Sequence, residues 1–171
     1  MAARLIRVQV QEKHRYYTLE GPQVARVLEG PSVLASGSHS HFVPNTPSRL
    51  RAARTCYDHL AGTLGVMLRD RLETSGWLTA NDGSYELTPK GIRELAGMGI
   101  DAEASRQSRR RFAYGCLDWS ERRPHVGGAL GAAILKLALR RKWVTQDLDS
   151  RALYVTSAGQ RDMRRYFGLQ I

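Results

Sequence analysis

The chain has 171 residues, 42% hydrophobic and 25% charged, as expected of one compact globular domain or two small ones. It holds no run of 18 apolar residues and no basic, apolar leader, so neither a membrane span nor export is expected and the chain reads as cytoplasmic. A formal net charge of +10, mostly from arginine, points to a polyanionic partner, above all nucleic acid.

Leu5 to Val10 alternate as LIRVQV, and His14 to Leu19 return as HRYYTL. With Gln11, Glu12 and Lys13 between them, these runs predict a β-hairpin with a basic tip. Glu20-Gly21-Pro22 then opens a helix whose apolar stripe is Val24, Val27 and Leu28. Residues 36–47 are rich in Ser, Gly and Pro and read as a linker, in which His39 and His41 are solvated. Thr46-Pro47 is a helix start signal, and a long helix is expected to carry Arg49, Arg51, Arg54, Cys56 and His59.

The segment from Cys56 to Gly99 recurs from Arg122 to Gly168. His59, Gly62, Leu64, Gly65, Trp77 and Thr79 match His125, Gly128, Leu130, Gly131, Trp143 and Thr145 at one offset (125 − 59 = 66). Thr88 and Gly91 then match Thr156 and Gly159 at a second offset (156 − 88 = 68). Self-similarity of this kind marks a repeated structural unit. Each copy predicts a helix of about five turns from its histidine, with apolar residues at helical spacing. A short hairpin and a last helix follow. Asn81-Asp82-Gly83 supplies the turn and Thr88-Pro89 the cap. Helix, hairpin, helix is the second half of a winged helix. The expected fold class is α+β, mostly helical and winged-helix-like. Two tandem helix–hairpin–helix repeats (48–100 and 122–171) flank a basic connector, 101–121.

The run LIRVQVQEKHRYYTLEGPQVARVLE resembles the wing and following helix of ArsR-type winged-helix transcriptional regulators. In that family a hairpin ending H-R-Y-Y-x-L precedes a helix that builds the dimer interface. RTCYDHLAGTLGV and CLDWSERRPHVGGALGA are similar to the C-terminal extension of one branch of the family. The resemblance covers nearly all of the chain except the linker, and makes residues 1–35 a wing hairpin and dimerisation helix. It implies a DNA-binding regulator or repressor, or the C-terminal regulatory part of one, acting as a homodimer on double-stranded DNA with a small-molecule effector. Family members carry a helix-turn-helix before the wing. This chain starts just before the wing, so the recognition helix is expected to be absent. That favours a second reading, an effector-binding or dimerisation module without autonomous DNA binding. A third reading is a metal sensor.

Candidate DNA contacts are Arg4, Lys13, His14 and Arg15 around the hairpin and Arg109, Arg110 and Arg111 in the connector. Cys56 and His59 stand three apart on an expected helix, and Cys116 and His125 nine apart across a proline turn. If the copies pack about a pseudo-twofold axis, two Cys and two His suit zinc or another thiophilic metal. Against this, Cys116 has no counterpart at the repeat offset, where Cys56 falls on Arg122, and no C-x-x-C is present. The competing reading is two buried thiols and two core histidines, hydrogen-bonded to backbone or to Asp58, Asp118 or Glu121. His59 and His125 also suit an effector pocket with Trp119, while Trp77 and Trp143 suit the core. Acid and base side chains are present, but neither a nucleophile elbow nor a phosphate-binding glycine loop accompanies them. No enzyme activity is expected, and no cofactor other than such a metal.

Overall fold

Short strands that pair across the two sequence copies hold this chain together. The structure, a computed structural model, describes residues 5–11, 14–21, 23–24, 27 and 47–171. The chain divides into two units, residues 1–44 and 45–171.

In the first unit, β1 (Ile6–Gln11) and β2 (His14–Leu19) form the expected antiparallel hairpin, with Ile6 opposite Leu19 and Gln11 opposite His14. Period-2 alternation is enough to specify it. Its apolar side chains nevertheless stay open: Ile6, Val8, Val10, Tyr17 and Leu19 are all exposed. Gln23, Val24 and Val27 are helical. Arg4, Lys13, His39, His41 and the expected linker up to residue 46 lie outside the described residues.

The second unit begins with α1 (Ser48–Ala52), β3 (Arg54–Cys56) and β4 (His59–Ala61). Then come α2 (Gly62–Thr74), β5 (Leu78–Asn81), β6 (Ser84–Leu87) and α3 (Pro89–Met98). After α4 (Ala102–Arg106) the order recurs as β7 (Tyr114–Leu117), β8 (Pro124–Gly127) and α5 (Gly128–Arg140). It ends with β9 (Val144–Gln146), β10 (Leu153–Val155) and α6 (Ser157–Phe167). The matched threonines act as expected. Thr88 accepts from Gly91 N–H (3.0 Å) and Thr156 from Gly159 N–H (2.9 Å), opening α3 and α6.

The first hairpin of each half joins the second hairpin of the other half. β5, β6, β7 and β8 form one sheet, through Ser84 opposite Tyr114. Tyr85 N–H donates to Ala113 O (3.1 Å) and Gly115 N–H to Gly83 O (3.0 Å). On the other side Arg54 bridges Ala152, Leu153 N–H donates to Ala53 O (2.9 Å) and Thr55 N–H to Arg151 O (2.9 Å). These are equivalent bonds, so the halves are exchanged about a pseudo-twofold axis. The helices follow: α2 packs on β8, and α5 packs on β4.

This architecture corrects the expected fold class. Ten strands lie among the described residues, so the protein is α+β but not mostly helical. The repeating unit is two strands, helix, two strands, helix, rather than a helix–hairpin–helix half of a winged helix. The physical reason lies at Gly62 and Gly128. Both have positive φ (+77° and +84°), where a right-handed helix cannot continue. The residues before them, His59 and His125 included, are therefore extended, although their apolar spacing also fits a helix. Likewise the helix expected to run from Pro47 through His59 ends at Ala52, and Pro124 opens a strand.

The core runs through both halves. Leu64, Leu68 and Leu72 of α2 share it with Leu130, Ile134 and Leu137 of α5. Phe167 lies 5.6 Å from Trp77 and 6.0 Å from Trp143, centroid to centroid, so both matched tryptophans are core. No helix among the described residues is long and apolar enough to cross a membrane.

A Cβ on Gly131 would stand 2.3 Å from Val126 O and 3.0 Å from the Cβ of His59 in the other half. Gly97, on the exposed face of α3, has nothing within 4 Å. Gly131→Ala is therefore expected to destabilise by about 1–3 kcal/mol despite the better helix propensity of alanine. Gly97→Ala should stabilise by about 0.4–1 kcal/mol. Urea midpoints of the two variants check this, and an unchanged midpoint for Gly131→Ala would show that helix and strand separate freely there.

Candidate functional site

The strand register brings four side chains to one point. Across the turn Tyr57-Asp58, Cys56 stands directly opposite His59. Across the longer loop from β7 to β8, Cys116 stands directly opposite His125. Directly opposed residues project to the same face of a strand pair. β4 and β8 meet, so the two pairs face each other across the pseudo-twofold axis. The imidazole centroids are 5.1 Å apart and the sulfurs 3.9 Å apart. One potential ligand atom from each of Cys56, His59, Cys116 and His125 lies within 4.8 Å of all the others. His59, Cys116 and His125 are buried, and Cys56 is half-buried.

A shell of fixed charges surrounds this cluster. Asp118 is fully buried and accepts from Arg54 Nη2 (2.7 Å), Gly62 N–H (2.7 Å), Ser120 N–H (2.9 Å), Ser120 Oγ (2.8 Å) and Glu121 N–H (3.1 Å). Its Oδ2 also forms an ion pair with His125 Nδ1 at 3.2 Å, away from hydrogen-bond alignment. Arg54 is itself buried; it donates to Leu50 O (2.9 Å) and Ser120 Oγ (3.0 Å), and its guanidinium lies 4.3 Å from the centroid of Trp119. In the other half Asp58 Oδ1 is 3.4 Å from His59 Nδ1, and Arg110 clamps the same carboxylate with both terminal nitrogens. His59 Nε2 and His125 Nε2 are buried without a hydrogen-bond partner.

These contacts set the proton affinities. Burial pushes the Asp118 carboxyl up, but the close contact with His125 and the hydrogen bonds from Arg54, Gly62 and Ser120 outweigh it and hold the group far below the usual carboxylate range. Burial pushes His125 down, and its contacts with Asp118 and Cys56 more than reverse this, favouring the imidazolium. The Cys56 thiol is held well below the ordinary thiol range, chiefly by the hydrogen bond with Cys116, against burial and with help from His125 and His59. A buried pocket that favours thiolate is chemically suited to a soft cation.

The sequence-level objection that Cys116 lacks a counterpart does not hold in three dimensions. Two residues separate Cys56 from His59, and eight separate Cys116 from His125. The cysteines are equivalent at a third offset (116 − 56 = 60), hidden by the longer loop. Cys56 and His59 share a site as strand partners, not as neighbours on a helix face. Asp58 and Asp118, expected as partners of the histidines, do face His59 and His125, whereas the roles of Arg54 and Arg110 in holding these acids were not expected. The equivalence of the two acids shows in Cys-x-Asp, which occurs as Cys56-Tyr57-Asp58 and again as Cys116-Leu117-Asp118. Trp119, expected beside the histidines, meets the cluster through Arg54 and is partly exposed. His14 and Arg15 lie on β2, and Arg15 is exposed. Arg109 and Arg111 are exposed, Arg111 donating to Ser84 Oγ (3.0 Å), while Arg110 is engaged by Asp58.

Removing the Asp118 charge strands a buried arginine. Asp118→Asn should therefore cost about 3–5 kcal/mol at neutral pH, read as a lower urea midpoint. Because the native carboxyl is depressed, this contribution is complete above the unfolded value near pH 4 and is lost progressively as pH falls below it. The gap between wild type and variant should narrow between about pH 5 and pH 2. A gap independent of pH would mean that the carboxylate charge is not what stabilises the junction.

No family model and no solved structure matches the chain. It is 36% identical over 173 aligned residues to YdfF of Bacillus subtilis (strain 168), which carries the description of an uncharacterised HTH-type transcriptional regulator. The match spans all of this chain and 76% of YdfF.

Proposed function

The chain belongs to the HTH-type transcriptional regulators, and from that premise we propose that it is an ArsR-type member acting on double-stranded DNA, without catalytic activity, in the cytoplasm. The observation that carries this reading is the full-length similarity to YdfF. The ArsR assignment draws support from the hairpin, since HRYYTL forms the return strand of β1–β2. Phosphate contact supplies the binding energy and is sequence-independent.

Two groups of basic residues compete for that role, and the fold favours the hairpin. In the connector, Arg106 pairs with Glu86 at 2.7 Å, Arg110 pairs with Asp58 and Arg111 donates to Ser84. On the hairpin, Arg15 is exposed at β2. The exposed apolar side chains of β1–β2 further support a homodimer, because a lone two-stranded hairpin is marginally stable in water. A small-molecule effector fits the open apolar groove lined by Ala53, Leu64, Met67, Leu153 and Val155.

Duplex affinity should fall steeply with salt through counterion release. Replacing Lys13 and Arg15 together by alanine should lower the slope of log affinity against log salt by about 1 per residue. Replacing Lys90 and Arg93, on the exposed face of α3, should leave it nearly unchanged. Fluorescence anisotropy over a salt series measures both. Equal losses from the two pairs would remove the hairpin from the interface, and salt-independent affinity would overturn the phosphate-contact mechanism.

A further inference from the structure

We propose that Cys56, His59, Cys116 and His125 form a tetrahedral site for one thiophilic divalent cation, with zinc(II) as its representative, on the pseudo-twofold axis of residues 45–171. The inference stands on these side chains and does not rest on the DNA-binding reading.

Ligand type comes first. Two thiolates and two imidazoles in tetrahedral arrangement select zinc over hard cations, which prefer oxygen. Distance comes second. With metal–sulfur bonds of about 2.3 Å, a regular tetrahedron has a sulfur–sulfur edge of about 3.8 Å. The two sulfurs already stand 3.9 Å apart. All four donors fall within 4.8 Å, so bringing the ring nitrogens in requires closure of about 1 Å, a small side-chain rotation.

The histidine partners supply the third argument. Nδ1 of each ring is turned to a carboxylate, His59 to Asp58 and His125 to Asp118. That leaves Nε2 of each ring buried and without a partner, a rare and costly state for a polar atom. A cation bound at Nε2 would satisfy both rings. It would also complete two carboxylate–histidine–metal relays, the arrangement that fixes the tautomer and orientation of metal-bound imidazoles. Both carboxylates are in turn anchored, Asp58 by Arg110 and Asp118 by Arg54 and Gly62 N–H. A Cys56–Cys116 disulfide would account for the two sulfurs alone and leave both Nε2 atoms orphaned. The ion accounts for all four groups, and half-buried Cys56 gives it a way in. Each half contributes one cysteine and one histidine, so the ion would cross-link the halves.

The test uses the whole chain, purified reduced and stripped of metal by chelator without oxygen. Cobalt(II) titration should saturate at one ion per chain. The expected spectrum has visible bands of tetrahedral intensity and near-ultraviolet thiolate-to-cobalt charge transfer, both abolished by added zinc(II). Cys56→Ser and Cys116→Ser should each weaken the charge transfer. Asp58→Asn, a half-exposed position outside the ligand set, should lower affinity about 10–100-fold while the band positions stay the same. Should a cysteine variant fail to fold, zinc(II) protection of both thiols from alkylation in the unaltered chain decides the matter. Absence of tetrahedral bands, binding indifferent to the cysteines, or unprotected thiols would each overturn the proposal. So would a Cys56–Cys116 disulfide forming unhindered in the presence of zinc(II).

Discussion

The buried carboxylate of Asp118 ties the second unit together. It belongs to the loop after β7, yet its partners come from β3, from the first residue of α2 and from β8. Taking a carboxylate and a guanidinium out of water costs several kcal/mol each, and only near-complete hydrogen bonding offsets it. Here Asp118 accepts five hydrogen bonds in addition to the His125 contact. Arg54 is further covered by Trp119. Such a network is stable in one geometry only, because each partner lost leaves another buried charge exposed to the same penalty. It therefore specifies where the two halves stand relative to each other.

The exchanged strands make the same point through backbone bonds. Three- and four-residue hairpins bury little and do not persist alone. By adding its first hairpin to the second hairpin of its counterpart, each half acquires neighbours that its own sequence does not supply. The small residues at Gly65 and Gly131 then let α2 and α5 approach the opposing histidines, with Cβ positions 3.4 Å from His125 and 3.0 Å from His59. The cluster at the axis is a consequence of this exchange, since it exists only when both halves are present and in register.

The division into two units gives the charges distinct roles. Within residues 45–171 many arginines are spent on structure: Arg54 on Asp118, Arg69 on Glu73 and Tyr85, Arg110 on Asp58. The net charge of +10 already subtracts the acids (26 − 16 = 10), so these pairs engage individual arginines without lowering the overall attraction for a polyanion. Exposed ion pairs are individually weak, but those that hold the ligand-orienting acids act locally on the cluster rather than on long-range attraction.

Local patterns were legible wherever one segment settles its own conformation. Alternation in LIRVQV and HRYYTL specified β1–β2, because period 2 is a property of the strand itself. Thr88-Pro89 and Thr156 specified the starts of α3 and α6 through caps made within three residues. The matches at His59, Trp77, Thr88 and their counterparts revealed the duplication. What sequence could not decide was the fate of β3, β4, β7 and β8. They are too short for any periodicity, and the outer hydrogen-bond partners of β3 and β7 lie in the other half, 98 and 30 positions away (152 − 54 = 98, 114 − 84 = 30). Reading the histidines onto helices followed from apolar spacing that the positive φ of Gly62 and Gly128 interrupts. The equivalence of Cys56 and Cys116 was hidden by unequal loops, because sequence offset counts residues whereas strand pairing counts rungs of a ladder. The chain alone thus determined its repeats, caps, first hairpin and the side-chain types gathered at the axis. Only the tertiary structure decided which cysteine answers which histidine, because pairing across the axis is a long-range contact that no local propensity encodes.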